Sequence, residues 1–198
     1  MSETVINVLE LMPEIANRDF RILATRPNGK RFAEQLHAAL ANPKPDVATR
    51  ISFANVHLMD ASFADEVFGI IGVSRSEGKT EPVAPFYIAD LEPTSIDNLN
   101  MALDSRTRRH KALRNCVMPV LDSAGDLKLV GKSEDHVEQT FELLRLSKEL
   151  TTPNVATVLK LSDAAASTRL KVLYDLGLAL RFETRDAQGR QFIYRWLT

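Results

Sequence analysis

The stretch that decides the C-terminal fold is residues 155–178, which read VATVLKLSDAAASTRLKVLYDLGL. A serine hydroxyl accepts well at the N-cap of a helix, so Ser162 predicts a helix start. The apolar residues that follow recur at the spacing of one helical face, at Ala166, Leu170 and Leu173. Gly177 can adopt the left-handed conformation that ends many helices. The sequence therefore predicts a helix from Ser162 to Gly177 with a buried apolar stripe.

A shorter helix and a hairpin flank this predicted helix. The shorter helix begins at Thr152-Pro153-Asn154, where proline suits the first turn, and its apolar face would comprise Val155, Val158 and Leu159. Strand-like runs at residues 178–184 and 191–197 enclose the tip at residues 185–190. The expected order is two helices followed by a hairpin whose tip carries Arg185 and Arg190.

The outward face of the longer helix is small and polar. Opposite the apolar stripe it carries Ala164, Thr168 and Lys171, with Ala165 and Ser167 at the flanks. Small side chains let a helix enter the major groove of DNA, where hydroxyls and methyls contact base edges. Arginines at a hairpin tip suit a phosphate backbone, where they displace counterions.

These residues together resemble the winged helix-turn-helix of bacterial transcriptional regulators, over about a quarter of the chain. In that family the second helix and the wing contact double-stranded DNA, and dimers are common. The resemblance implies a homodimer here, and a DNA-binding set made up of Ser162, Ser167, Thr168, Arg169, Lys171, Arg185 and Arg190. A structural or dimerising module that has lost DNA contacts is the alternative.

The first 150 residues alternate strand-like and helix-like segments. Predicted strands are residues 5–9, 20–24, 50–53, 85–91, 115–121 and 127–130. Predicted helices are residues 31–41, 62–71, 95–111 and 133–150, with Ser62 and Ser95 as N-caps and Asp65 completing a capping-box-like pair with Ser62. Pro27-Asn28-Gly29 is a turn signal, and Asn42-Pro43-Lys44-Pro45 is a helix breaker. This alternation favours an α/β fold with a mixed sheet and helices.

Residues 20–120 are similar to STAS-like domains of bacteria, relatives of the anti-sigma factor antagonists. The motif that carries the likeness is Ser62-Phe63-Ala64-Asp65-Glu66-Val67-Phe68-Gly69. In that family the loop and helix dock a partner kinase, which implies a partner-binding set of Asp60, Ser62, Asp65 and Glu66. Ala61 stands where the antagonists have their phosphorylated serine, so Ser62 is either a structural cap or a shifted phosphorylation site.

Composition indicates an ordinary globular protein, with 44% hydrophobic and 26% charged residues. Cys116 lies in an apolar stretch and is predicted to be a buried hydrophobe, so neither a disulfide nor a cysteine metal site is expected. The N-terminus lacks a basic segment followed by a long apolar core, and cytoplasmic localisation without membrane insertion is expected. Residues 151–198 carry seven Lys/Arg against four Asp/Glu, and residues 1–150 carry 18 against 22. A basic tail on an acidic body fits nucleic-acid binding by the tail.

Catalytic patterns are weak, and we expect no enzyme activity and no cofactor. The segment Gly72–Thr80 has five residues between its glycines where a phosphate-binding loop has four, and it follows a predicted helix. The four histidines, His37, His57, His110 and His136, lack metal-ligand spacing. A Ser-His-Asp arrangement of Ser62, His57 and Asp60 would require convergence on a pocket. The basic run Arg106–Arg114 is either a solvated helix end or a second nucleic-acid contact.

The sequence thus predicts a STAS-like α/β domain over residues 1–132, a connecting helix over residues 133–150 and a winged helix over residues 151–198. The resemblances imply a bacterial or phage regulator that binds double-stranded DNA through its tail and a protein partner through its front. The alternative is a partner-switching adaptor that binds a kinase-like protein without touching DNA. Salt bridges of Lys171, Arg185 and Arg190 with Asp175, Asp186 or the front domain would favour the adaptor.

Overall fold

The computed structural model describes residues 4–41, 47–78, 85–186 and 189–198. In chain order, its strands are β1 (Thr4–Asn7), β2 (Ile22–Leu23), β3 (Thr49–Ser52), β4 (Leu58–Met59), β5 (Phe86–Ala89), β6 (Cys116–Leu121), β7 (Leu127–Lys132), β8 (Glu149–Thr151), β9 (Leu180–Asp186) and β10 (Gly189–Arg195). Its α-helices are α1 (Val8–Leu11), α2 (Pro13–Ala16), α3 (Arg26–Leu40), α4 (Ala61–Ala64), α5 (Ile70–Ser76), α6 (Pro93–Arg109), α7 (Asp135–Ser147), α8 (Thr152–Leu159) and α9 (Asp163–Asp175). A π-helical turn, Asp65–Gly69, joins α4 to α5.

A five-stranded mixed sheet forms the centre of the fold, in the order β1-β3-β5-β6-β7. The first four strands are parallel to their neighbours, and β7 is antiparallel to β6. Helices connect the parallel strands, as parallel pairing requires. The predicted α/β class with a mixed sheet is confirmed. The short strands β2 and β4 form a separate parallel pair.

The two faces of the central sheet bury two different cores, because successive side chains of a strand point to opposite faces. Ile51, Ile88 and Met118 lie on one face with the buried residues of α3, α4 and α6. Tyr87 and Val117 lie on the other face with α7 and the C-terminal segment. The C-terminal segment therefore packs on the sheet through a continuous core.

The C-terminal segment runs α7, β8, α8, α9, β9, β10, with a three-stranded sheet in the order β8-β10-β9. Phe141 of α7 packs against Trp196, which follows β10, with ring centroids 4.8 Å apart. The predicted boundary between residues 150 and 151 falls within β8, a strand that the sequence did not predict.

The predicted helix after Ser162 is confirmed as α9. Ser162 caps it by accepting a hydrogen bond from the backbone N–H of Ala165 at 3.3 Å. Gly177 follows with φ +71°, and the predicted stripe of Ala166, Leu170 and Leu173 is fully buried. In α8, Val155 is buried, but Val158 is 58% exposed, so its predicted place in the apolar face was wrong.

Helix α3 begins five residues before its predicted start at Arg31. The segment Pro27-Asn28-Gly29 forms its first turn, where proline fits because its missing N–H would have no helical partner. Gly29 is needed for packing, because a Cβ atom there would lie 2.9 Å from Cβ of Glu66. The predicted breaker at residues 42–45 lies outside the described residues.

Two predicted serine caps were wrong. Asp60, not Ser62, caps α4 by accepting from the N–H of Phe63 at 2.7 Å, so the expected Ser62–Asp65 box does not form. Helix α6 begins at Pro93, and the buried hydroxyl of Ser95 accepts from the N–H of Met59 at 2.9 Å. The hydroxyl thus fixes β4 against α6.

The π turn changes which residues of its helix face the core. Phe63 and Val67 are buried as predicted, but Ile70 is 45% exposed, so its predicted place on the same face was wrong. A π turn adds one residue to a helix and rotates everything after it. Gly72 and Arg75 are buried farther along the same helix. None of the described helices is both long and apolar enough to cross a membrane.

Candidate nucleic-acid interface

The outward face of α9 presents small side chains to solvent. Ser162, Ala164, Ser167, Thr168 and Lys171 are all exposed. The hydroxyl of Thr168 donates to the backbone carbonyl of Ala164 at 2.9 Å, so it can offer only its oxygen lone pairs to another group. This face can approach a groove closely, because only Lys171 carries a long side chain.

Arginines and aromatic rings alternate on the hairpin face next to α9. Cross-strand pairs Arg181–Tyr194, Glu183–Phe192 and Arg185–Arg190 share this face. The guanidinium of Arg181 lies 4.0 Å from the ring centroid of Tyr174 in α9 and 4.7 Å from that of Phe192. The guanidinium of Arg190 lies 4.9 Å from the same Phe192 ring. The rings hold both cations in place, and Tyr174 sets Arg181 beside α9.

Three of the expected DNA-binding cations have carboxylate partners within the chain. Lys171 pairs with Asp175 one turn along α9. Arg190 lies 2.7 Å from Glu183, and Arg185 lies 3.8 Å from the same carboxylate. Exposed pairs of this kind contribute about 0–1 kcal/mol each, so a phosphate group can replace the carboxylate at little cost. The residues of the predicted hairpin tip at 187 and 188 lie outside the described residues.

Arg169 lies apart from the other expected contacts. Its Nη1 donates to the side-chain oxygen of Gln139 at 2.8 Å, which places it between α9 and α7. The structure therefore leaves Ser167, Thr168 and Lys171 on the exposed face of α9 and directs Arg169 to the opposite flank of the helix.

The expected partner-binding residues lie around the N-terminal end of α4. Both carboxylate oxygens of Asp60 accept backbone N–H groups, from Phe63 at 2.7 Å and from Thr25 at 3.2 Å. Ser62 is exposed on the first turn. Glu66 is partly exposed and lies 3.2 Å from Arg26, at the start of α3. Ser62 is therefore the most exposed member of this set, and Asp60 and Glu66 are half-buried.

Asp65 points inward. Its side chain is 5% exposed and lies between two arginines, with Arg106 Nε 2.5 Å from Oδ1 and Arg26 Nη2 2.8 Å from Oδ2. Burial by itself would raise the pKa of Asp65, but the hydrogen bonds and charges of Arg106 and Arg26 outweigh it and leave the pKa lowered. Asp65 thus holds α3, the π turn and α6 together.

The imagined Ser-His-Asp arrangement is not assembled. His57 accepts a hydrogen bond from the N–H of Arg21 at 3.2 Å through Nδ1, and its ring lies beside that of Phe20. Both carboxylate oxygens of Asp60 accept hydrogen bonds from backbone N–H groups. Within the described part of the chain, no hydrogen bond joins His57, Asp60 or Ser62 to one another, and no cluster of three His, Cys, Asp or Glu residues has the geometry of a metal site.

The arginines of the basic run at the end of α6 differ in where their side chains lie. Arg106 turns inward to Asp65, whereas Arg108 pairs with Asp104 one turn before it. Arg109 donates to the hydroxyl of Ser105 at 2.7 Å, and Arg114 lies 3.2 Å from Glu134. Of the segment considered as a phosphate loop, Gly72–Ser76 belongs to α5, and residues 79 and 80 lie outside the described ranges.

Sequence reasoning missed two arginines. Arg181 stands in a strand-like run whose alternation gives no sign that it stacks on a helix residue. Arg75 is 4% exposed although arginines are seldom buried, and its contacts with Phe86 and Leu176 join segments that are distant in sequence.

Comparison with models of known protein families and with curated proteins found no match for this chain. Function is therefore inferred from the residues and their arrangement alone.

Proposed function

We propose that this chain is a cytoplasmic regulator whose C-terminal winged helix-turn-helix binds double-stranded DNA. Its STAS-like α/β domain would bind a protein partner or mediate self-association. The observation that carries the proposal is the stacking of Arg181 of the hairpin on Tyr174 of α9, which sets the arginine–aromatic face of the hairpin next to a helix with a small, exposed face.

The order of elements supports a winged helix. A helix, a strand, two helices and a hairpin follow one another from α7 to β10, and β8 pairs with β10 as the third strand of the sheet. In this arrangement α9 is the recognition helix and the β9–β10 hairpin is the wing. Helix α7, predicted as a connector, would then be the first helix of the module.

The dimensions suit a major groove. Helix α9 has 13 residues and is about 20 Å long at 1.5 Å per residue. A major groove about 12 Å wide admits a helix, provided that the side chains facing the base pairs are short. Ser167 and Thr168 offer hydroxyls to base edges, and Lys171 offers a cation to a guanine or a phosphate.

The wing supplies the phosphate contacts. Arg185 and Arg190 lie opposite each other near the tip, where a phosphate backbone that borders the groove would pass. When Arg185 and Arg190 exchange Glu183 for phosphate groups, they displace the counterions bound to the DNA. Binding should therefore weaken as the salt concentration rises. A homodimer would place two such modules on two half-sites.

The test measures binding of the purified protein to a fluorescent random-sequence duplex and to the duplex upstream of its own coding region. Binding is titrated between about 50 and 200 mM salt, for the wild type and a Lys171→Ala, Arg185→Ala, Arg190→Ala triple variant. We expect salt-sensitive binding by the wild type. The triple variant should lose about 0.9 from the slope of log affinity against log salt for each phosphate contact removed.

A matched control variant carries Lys30→Ala, Arg31→Ala and Lys128→Ala. These three cations are exposed and lie in the α/β part of the chain, so the variant has the same change in net charge. Equal loss in both triple variants would indicate nonspecific attraction to a charged protein. No duplex binding by the wild type at low salt would reject the DNA proposal.

The pairing of Lys171, Arg185 and Arg190 with carboxylates favours the second candidate, a partner-switching adaptor. In that case the C-terminal module is a protein-binding surface, and Ser62 and Glu66 contact a kinase-like partner. A pull-down with the wild type and with a Ser62→Arg, Glu66→Arg variant tests it. A protein captured by the wild type alone, together with no duplex binding, would support the adaptor.

A further inference from the structure

The end of α6 carries exposed cations. Helix α6 ends at Arg109, and the chain from residue 105 to residue 121 contains no acidic residue. The helix dipole favours cations in the last turn, but its effect does not extend past that turn, and Lys111 and Arg114 lie beyond it. The helix end therefore explains only part of this charge. The exposed cations form the basic patch: Arg108, Arg109, Lys111 and Arg114.

The start of α7 carries the opposite charge. Glu134 is the N-cap residue, and two more carboxylates follow in the first turn, at Asp135 and Glu138. Asp135 and Glu138 are exposed, and Glu134 is half-buried. These three residues form the acidic patch, so successive helices of the fold present charges of opposite sign.

The two patches lie at the same end of the β6–β7 pair. Cys116 of β6 lies opposite Lys132 of β7, so the chain enters β6 from α6 where it leaves β7 toward α7. The side chain of Asn115 accepts from the N–H of Glu134 at 2.9 Å, and Nη1 of Arg114 lies 3.2 Å from a carboxylate oxygen of Glu134. Helices α6 and α7 pack on opposite faces of the sheet, so the patches lie side by side across its end.

Each patch contains charges that the described part of the chain does not neutralise. Arg109 and Lys111 form no ion pair with its carboxylates. The hydroxyl of Ser133 donates to Glu138 at 2.6 Å, but neither Glu138 nor Asp135 pairs with a cation of the described residues. Each protomer therefore presents two unpaired cations beside two unpaired carboxylates.

A polar groove opens between α6 and the start of α7. It has a volume of about 310 Å³ and lies over the end of β7, where Lys132 contributes to its lining. Asp104 lines its α6 side, and Glu138 lines its α7 side. A cationic side chain of a second molecule that enters this groove meets a carboxylate on each side.

We propose that this end of the molecule is a self-association surface, on which the basic patch of one protomer pairs with the acidic patch of a second copy of this chain. A two-fold contact requires a surface that is complementary to itself, and adjacent patches of opposite charge meet this requirement. A two-fold axis that passes between the patches, close to Arg114 and Glu134, brings each basic patch onto the acidic patch of the other protomer. The contact is thus made twice.

Charge complementarity selects a second copy as the occupant. A nucleic-acid backbone would gain from the basic patch but would be repelled by the acidic patch beside it. A second copy satisfies both signs at once, because the unpaired cations and carboxylates are equal in number. Exposed ion pairs are individually weak and are screened by salt, so we expect a weak dimer that salt disrupts.

This inference rests on the proposed function in expecting a homodimer, and it names the surface that forms it. Ser167, Thr168 and Lys171 belong to neither patch, so dimer formation does not use the exposed face of α9. Association is measured without DNA. The absence of a dimer and the absence of duplex binding are therefore separate results.

The first test is sedimentation velocity of the full chain over a range of protein concentrations. The Kd of the dimer should rise about tenfold between about 50 and 500 mM salt, because screening weakens exposed ion pairs. A wild type that stays monomeric at the lowest salt would overturn the proposal. A dimer whose Kd does not depend on salt would place the contact on another surface and would overturn it as well.

The second test reverses the charges of one patch at a time. The first variant carries Arg109→Glu and Lys111→Glu, and the second carries Asp135→Lys and Glu138→Lys. Alone, each variant opposes like charges across the axis, so its Kd should rise at least about tenfold. An equimolar mixture of the two should dimerise again, because one protomer then carries only carboxylates at this surface and the other only cations. A mixture that stays monomeric would contradict the pairing.

The matched control carries Lys30→Glu and Arg31→Glu, which reverse two exposed cations of α3 outside both patches. Its Kd should equal that of the wild type. Circular dichroism verifies that each variant folds, and Arg109→Gln with Lys111→Gln replaces the first variant if the reversal prevents folding. A monomeric wild type whose duplex binding is lost on reversal of the basic patch would show that this patch contacts nucleic acid and not a second copy.

Discussion

Arg106 reaches from α6 to the buried carboxylate of Asp65, with Nε 2.5 Å from Oδ1, across 41 residues of sequence. Its Nη2 also donates to the backbone carbonyl of Asp65 at 3.2 Å. Asp65 is the first residue of the π turn, so Arg106 holds this turn through both its side chain and its backbone. The same arginine thus neutralises the carboxylate and stabilises the irregular backbone that carries it.

Asp65→Asn should lower the free energy of unfolding by about 3 kcal/mol, because removing one member of a buried ion pair leaves the other charge uncompensated. Urea unfolding at neutral pH measures the change. Asp104→Asn breaks the exposed pair with Arg108 and should cost less than about 1 kcal/mol. Losses of similar size in the two variants would contradict the interior role of Asp65.

The Asp65 pair also predicts how stability depends on pH. The pKa of Asp65 is lowered in the folded chain, so its contribution is fully present above its unfolded pKa of about 3.9 and is lost as the pH falls through the folded value. The pKa of Asp122 is also lowered, through its hydrogen bond from Lys128 and backbone N–H groups of its turn. Midpoints of urea unfolding measured from pH 6 to pH 2 should fall less steeply in Asp65→Asn than in the wild type, and an unchanged slope would contradict the pairing.

The sequence correctly predicted the helices and strands that depend on residues close together in the chain. Ser162 caps α9, and the apolar spacing after it is buried as expected. The strands β6 and β7 pair around their predicted turn. These features depend on residues within one or two turns of each other, so a single sequence contains the information.

Features that depend on residues far apart in the sequence were predicted wrongly. Pro27-Asn28-Gly29 has the composition of a turn, but it lies in the first turn of α3, where Gly29 packs closely against Glu66. The hydroxyl of Ser95 is used by β4 and not by its own helix. At the candidate interface, Lys171 was predicted from the helical spacing and the tip arginines from the hairpin pattern, whereas the place of Arg181 depends on a ring seven residues earlier, in α9.

Gly131 is predicted to tolerate no side chain. It has φ +109°, and a Cβ atom there would lie 2.2 Å from the backbone carbonyl oxygen of Cys116 on the paired strand. Gly131→Ala should lower the free energy of unfolding by at least about 3 kcal/mol, because backbone strain and steric overlap both contribute. Gly125→Ala is the matched control: its φ is +84° but no atom lies within 4 Å of the added Cβ, so only a strain cost of about 1–2 kcal/mol is expected. Urea unfolding of both variants gives the comparison, and equal costs would contradict it.

Cys116 should be unreactive until the protein unfolds. Its side chain is fully buried, and burial raises the pKa of its thiol to about 11, so little thiolate forms at neutral pH and no reagent reaches it. Labelling with an aromatic disulfide should be slow in buffer and rapid in concentrated urea. A thiol that reacts at the same rate in both conditions would mean that this part of the sheet opens readily.

Arg181 should contribute to duplex binding more than Arg195 does, although the two arginines lie on strands of the same hairpin. Arg181 stacks on Tyr174 beside the outward face of α9, and no carboxylate pairs with it among the side chains that the structure describes. Arg195 lies on the opposite face of the hairpin, over Phe182, and its Nε is 2.6 Å from Glu149. Both substitutions remove one positive charge, so they differ in location and not in net charge.

Arg181→Ala should therefore reduce duplex affinity and lower the slope of log affinity against log salt by about 0.9, the effect of one lost phosphate contact. Arg195→Ala should leave both nearly unchanged. The measurement is the same fluorescent-duplex titration at several salt concentrations, with circular dichroism to verify that both variants fold. Since Arg181 is fixed by two rings, it loses little freedom on binding and should act at every DNA sequence alike. A larger effect of Arg195→Ala would place the bound duplex on the opposite face of the hairpin, away from α9, and the recognition-helix assignment would then be wrong.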